Sequence, residues 1–198
     1  MTMMKIIIIS AAVVWSVVVG NLPAGAEETI AVEQVSHLQL SLFPPIQLAD
    51  VDTTIKGFRF GIFTMNRKME GLDIGLLNWT TDEMDGLEFS FANVAGGDVV
   101  GVQFGVLNID CKDMVGWESG GYNGTIGDFI GLQSGVLNIT GGSTGGVQFG
   151  AINYSGSVTG LQLGLLNITG TLHGIQLGII NIAGNGFLPV FPVINAAF

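Results

Sequence analysis

Three stretches decide the reading: GVQFGVLN at residues 101–108, GLQLGLLN at 160–167 and GIQLGIIN at 174–181. They are copies of one unit: glycine, apolar, glutamine or acid, apolar, glycine, apolar, apolar, asparagine. Working outward, the unit recurs every 14 or 15 residues, starting at Gly57, Gly71, Gly86, Gly101, Gly116, Gly131, Gly146, Gly160 and Gly174. The first copy, GFRFGIFT, keeps both glycines but carries Thr64 in place of the asparagine. The unit at residues 116–130 keeps the spacing and loses most of the motif. Nine units at a nearly fixed period are the signature of a repetitive fold.

Inside a unit the apolar residues alternate with period two, which predicts strand rather than helix. In the copy at Gly160, Leu161, Leu163 and Leu165 fall on one face, opposite Gln162 and Gly164. A further apolar side chain usually stands two residues before the glycine: Ile55, Met69, Val99, Met114, Phe129, Val158 and Leu172. Each unit is thus expected to hold one strand of about 9–11 residues followed by a short turn, with turn chemistry at Gly96-Gly97-Asp98, Gly141-Gly142-Ser143 and Ser155-Gly156-Ser157. Glycine weakens a strand unless something approaches its backbone closely. Its recurrence at the fifth position, as in Gly105, Gly135, Gly150, Gly164 and Gly178, therefore predicts close packing there.

The chain has 198 residues, enough for one ordinary domain. Hydrophobic residues make up 48% and charged residues 11%, against ~25% charged in ordinary soluble proteins. A formal charge of −10 on six basic residues argues against electrostatic binding of nucleic acid. A single cysteine, Cys111, excludes an intrachain disulfide framework. Two histidines, His37 and His173, leave little for a metal centre. At the start, Lys5 precedes an apolar run over residues 6–20 and then Ala24-Gly25-Ala26, the layout of a secretory signal peptide cleaved after residue 26. The run is too short to span a bilayer as a helix.

The expected organisation is a cleaved signal at 1–26, an N-terminal segment with a first strand at 27–56, the nine-unit repeat region at 57–186, and a closing strand at 187–198. Residues 38–48 (LQLSLFPPIQL) and 187–198 (FLPVFPVINAAF) look alike. Prolines belong at sheet edges, so these are the expected first and last strands. Residues 129–198 contain no Asp, Glu, Lys or Arg. In a soluble β-protein that invites edge aggregation, whereas a lipid-facing strand is penalised by charge.

The repeat core, with SLFPPI at residues 41–46 and FPVIN at 191–195, resembles the bacterial surface-repeat-containing proteins over residues 38–198. The resemblance implies an exported chain at the cell envelope and brings no enzyme activity with it. The terminal Phe198 is also similar to the C-terminal signal of outer-membrane barrels, although Pro189 and Pro192 interrupt the alternation.

Two all-β architectures fit. In the expected one, each unit is one strand of an up-and-down β-barrel-like sheet. The alternative is a β-solenoid with one coil per repeat, in which Asn108, Asn138, Asn153, Asn167 and Asn181 stack as a ladder. The seventh-position residues Leu107, Leu137, Ile152, Leu166 and Ile180 would then lie outside, which counts against it.

No catalytic, cofactor-binding or metal-ligating set is expected. Asn78, Asn123, Asn138, Asn153 and Asn167 each head a glycosylation sequon, but the repeat register generates four of these, so a structural turn role is expected. The acidic residues Asp73, Asp82, Glu83, Asp85 and Glu88 lack calcium-loop spacing and read as a solvated rim, as do Asp110, Asp113, Glu118 and Asp128. The irregular unit 116–130 reads as an external loop, with Cys111 exposed beside it. The functional expectation is a non-enzymatic outer-membrane or cell-surface repeat protein with a structural or presenting role and lipid as its partner. The alternative is an exported solenoid module binding a regular ligand such as a polysaccharide.

Overall fold

The computed structural model describes residues 33–198, so the signal-peptide expectation for 1–26 lies outside the described residues. After β1 (Val35–Phe43) and the short β2 (Ile46–Gln47), β3 (Thr54–Asn66) and β4 (Lys68–Thr80) each trace one coil. A bend splits each of the next two coils, giving β5 (Met84–Phe89) with β6 (Ala92–Ala95), and β7 (Val99–Phe104) with β8 (Leu107–Asp110). The strand β9 (Met114–Thr125) is again one coil, β10 (Phe129–Ala183) winds through four more, and β11 (Val190–Ala197) ends the stack.

Neighbouring units pair parallel and in register, glycine on glycine. Gly57 lies beside Gly71, Gly71 beside Gly86, Gly86 beside Gly101, Gly101 beside Gly116, and Gly116 beside Gly131. This is a β-solenoid with one coil per repeat. The up-and-down barrel is not formed, because its hairpins would set neighbouring strands antiparallel. Each unit instead bends at its fifth and sixth residues, returns along a second short strand, and rises by one strand spacing, ~4.8 Å. The single straight strand expected per unit is thus two strands around a bend.

The leading glycines explain why this backbone needs its sequence. All nine have φ between 128° and 148°, a region L-residues avoid. A Cβ at Gly131 would also collide with the carbonyl oxygen of Gly116 in the coil before it. At the fifth position a Cβ on Gly164 would press on the Gly150 carbonyl and approach Asn153 Nδ2 to 2.6 Å. The expected close packing at these glycines is present.

The two terminal segments do not meet. β1 pairs parallel with β3 at one end, while β11 pairs antiparallel with the last coil at the other. Each covers an exposed sheet edge, as terminal units of stacked folds must. The irregular unit is no loop: Gly116, Glu118 and Asn123 lie in register with Gly131, Gln133 and Asn138.

Candidate interaction surface: a solenoid with reversed polarity

Each coil points four side chains inward, and in most coils three of them are polar. The apolar inward residue lies two before the glycine, giving the stacked column Ile55, Met69, Met84, Val99, Met114 and Phe129. Thr144 interrupts it, bonding Ser155 Oγ at 3.0 Å; Val158 and Leu172 resume it, with Ala183 of the tenth-position column packed against them. The third, eighth and tenth positions supply the rest. Among the described residues, buried polar and charged side chains far outnumber buried apolar ones.

The polar columns are tenable because every coil offers the next the same groups. Asn93, Asn108, Asn123, Asn138, Asn153 and Asn167 each donate Nδ2 to the Oδ1 of the following asparagine at 2.8 Å. The same Nδ2 also reaches a carbonyl at the next coil's bend, for example Asn138 to Phe149 O at 2.9 Å. Gln148, Gln162 and Gln176 form a second ladder in the opposite sense, each donating to the preceding glutamine at 2.7–2.8 Å. An intramolecular hydrogen bond contributes only ~1 kcal/mol net. Leaving one of these buried amides unpaired would cost more, so the ladders fix register above all. The expected Asn ladder is formed. The sequon asparagines Asn78, Asn123, Asn138, Asn153 and Asn167 belong to it, fully buried, rather than to turns.

The glutamine column begins as a charged one. Arg59 Nη2 bonds Asp73 Oδ2 and lies 3.7 Å from Glu88 Oε1, all fully buried. Gln103 and Gln133 donate to Glu88 and Glu118 at 2.7 Å. Asp73, Glu88, Asp110 and Glu118 are therefore interior residues, not the expected solvated rim; Asp82 is half-buried and Glu83, Asp85, Asp113 and Asp128 remain exposed. Burial foremost raises the Glu88 carboxyl, with Asp73 adding and Arg59 opposing. Burial, then Glu118, raises Asp110. Cys111 is half-buried rather than exposed, and burial raises its thiol.

Turned outward are the second, fourth, sixth, seventh and ninth positions. Across all nine units none of these carries a charge, and nearly all are aliphatic or aromatic. At the bend, Ile62, Leu76, Phe91, Val106, Val136, Leu165 and Ile179 form a column more than half exposed. The seventh-position residues do lie outside, and Ile152 and Ile180 are exposed. Exposed charges gather at the opposite edge, in the turns and the residue before the glycine: Lys56, Glu70, Glu83, Asp85, Asp98, Lys112, Asp113 and Asp128, with half-buried Asp82 among them. There the aspartates chain the turns, Asp113 Oδ1 accepting from Asp128 N at 2.8 Å and Asp128 Oδ1 from Ser143 N at 2.7 Å. Each coil is thus a wedge with an apolar apex, apolar flanks and a polar base.

Among the described residues no group of three or more His, Cys, Asp or Glu side chains could hold a metal ion. Among the same residues no helix is long and apolar enough to cross a membrane. No protein family, curated protein or solved structure matches the chain.

Proposed function

We propose that this chain is an exported, non-enzymatic structural protein of a bacterial envelope, held at the outer membrane or cell surface by the apolar exterior of its solenoid. The observation that carries the reading is the set of five outward columns without a charge in any unit. Monomeric soluble proteins keep exposed apolar patches to a few hundred Å². Columns of this kind along nine coils call for an apolar phase, and lipid supplies one. The polysaccharide-binding alternative is weaker because its contact residues are consumed: the glutamines of a flat Gly-Gln-Gly face point inward and bond one another.

The test is fractionation of the exporting cell followed by an alkaline carbonate wash, on a chain whose N-terminus has been checked by mass spectrometry so that residues 1–26 cannot serve as the anchor. Retention in the membrane pellet is the expected result. Release into the wash overturns the reading.

A further inference from the structure

Resting on that reading, the structure assigns a specific seat to the solenoid: it lies lengthwise in a single lipid leaflet, apex toward the acyl chains and turn edge among the headgroups, without spanning. The occupant of the apolar faces is the hydrocarbon of one leaflet. Three independent features of the coil select it.

The first is size. From turn to bend a coil runs about six residues, roughly 20 Å at ~3.3 Å per residue. One leaflet of a ~30 Å hydrocarbon core is about 15 Å deep. An apex-down coil therefore reaches the midplane with its turns still at the headgroups, whereas nine coils at ~4.8 Å extend about 40 Å in the membrane plane.

The second is the order of polarity from apex to base. The bend column is aliphatic or aromatic except for Gly121 and Ala151, the flanks are apolar, and every exposed charge of the repeat region sits at the base. Both described tryptophans stand in the outward columns nearest that base, Trp117 at the second position and Trp79 at the ninth, and Tyr154 shares the ninth. Amphipathic aromatics at the level where hydrocarbon gives way to headgroups are the pattern of a membrane interface. A second copy of the chain on the same faces would require no such grading.

The third is the backbone. Irregular backbone or an open sheet edge is not tolerated against lipid. Here the coils pair continuously along both flanks, and the bends stay bonded, Phe91 N to Leu76 O at 3.1 Å and Val106 N to Phe91 O at 2.9 Å. The polar interior is closed off from the flanks, and its asparagine and glutamine columns bond one another through the ladders.

The experiment places one cysteine at the apex, Val136→Cys, and one in the turn edge, Ser143→Cys, each in a Cys111→Ser background. Both sites are exposed, Val136 to 65%. The exported chain carrying a polarity-sensitive fluorophore is mixed with phosphatidylcholine vesicles, and flotation is read beside iodide quenching. The expected result is flotation, with quenching of the Val136→Cys label falling at least five-fold and that of the Ser143→Cys label unchanged. Flotation with both labels shielded, or with neither, overturns the single-leaflet seat while leaving membrane association standing. No flotation overturns association itself. An apex label shielded without lipid, in a complex of twice the mass, identifies a second copy as the occupant and overturns the proposal.

Discussion

Glu118→Gln should stabilise the protein, by an amount that grows with pH. Glu118 interrupts the ladder of amides in its column. Gln133 donates to its Oε2 at 2.7 Å, but Glu118 Oε1 and the in-register Gln103 Oε1 both lack a hydrogen-bond partner. The two unpaired acceptors lie in adjacent coils, and a protonated Glu118 supplies the donor that the column lacks there. Burial, opposed by the hydrogen bond from Gln133, pushes its carboxyl from 4.5 up to about 8. A raised folded-state pKa means that folding takes up a proton. The stability is fully present below about 4.5, falls as pH rises toward 8, and is constant above. At ~1.4 kcal/mol per unit, the loss over that window is on the order of 5 kcal/mol. An amide at 118 offers an N–H at every pH and removes this share of the slope, leaving that of buried Asp110 and Glu88. Unfolding followed by far-UV circular dichroism at pH 4.5, 6 and 8 should show the variant level with the parent at pH 4.5. At pH 8 it should be more stable by roughly 3–5 kcal/mol. Equal pH slopes for both proteins, or a variant less stable at pH 8, would refute the protonated link.

Asn138→Ala removes three ladder bonds: acceptance from Asn123 and donation to Asn153 and to Phe149 O. It should cost about 2–4 kcal/mol, since the orphaned partners stay buried, while a thermal shift under 1 °C would mean the ladder is not formed. Gly164→Val should cost ~1–3 kcal/mol by overpacking despite valine's strand propensity, because its Cβ lands between Asn153 and Asn167; the exposed Thr171→Val is the control, and equal melting temperatures would remove the packing argument. Mass spectrometry of the exported chain should begin at Glu27, and peptides from residues 1–26 in that material would contradict a cleaved signal.

The repeat, its period and its β character were legible in the glycine and alternation pattern; which side of each strand faces inward was not. Alternation defines two faces without saying which is interior, and the uncharged 129–198 stretch suits a lipid-facing barrel strand as well as a solenoid's outer wall. The discriminating signal is a parity change. Gln162 and Asn167 are five residues apart, so a straight strand would point them to opposite faces, yet both are buried. Only a bend between them, at Gly164 and the apolar pair Leu165-Leu166, puts both inside. That pair, present in most units, is the mark of a closed coil. The interior carboxyls were hidden for another reason. Asp110 stands two residues before Lys112 and Glu118 lies in the unit that lost most of the motif, and only alignment of each with its column, Asp110 beside Thr125 and Glu118 beside Gln103, places them inside.

The central claim is that this solenoid hides its polar residues and displays its apolar ones, and two leucines of the same repeat test it directly. Leu165 is 58% exposed at the bend and Leu172, seven positions on, is 0% exposed in the apolar column. The decisive measurement is far-UV circular dichroism unfolding of Leu165→Lys and Leu172→Lys in mild detergent, with vesicle flotation of whichever folds. The account predicts that Leu165→Lys folds with a near-parental melting temperature and floats less, while Leu172→Lys, burying an unpaired charge, loses its β signal. A folded Leu172→Lys beside an unfolded Leu165→Lys would contradict it.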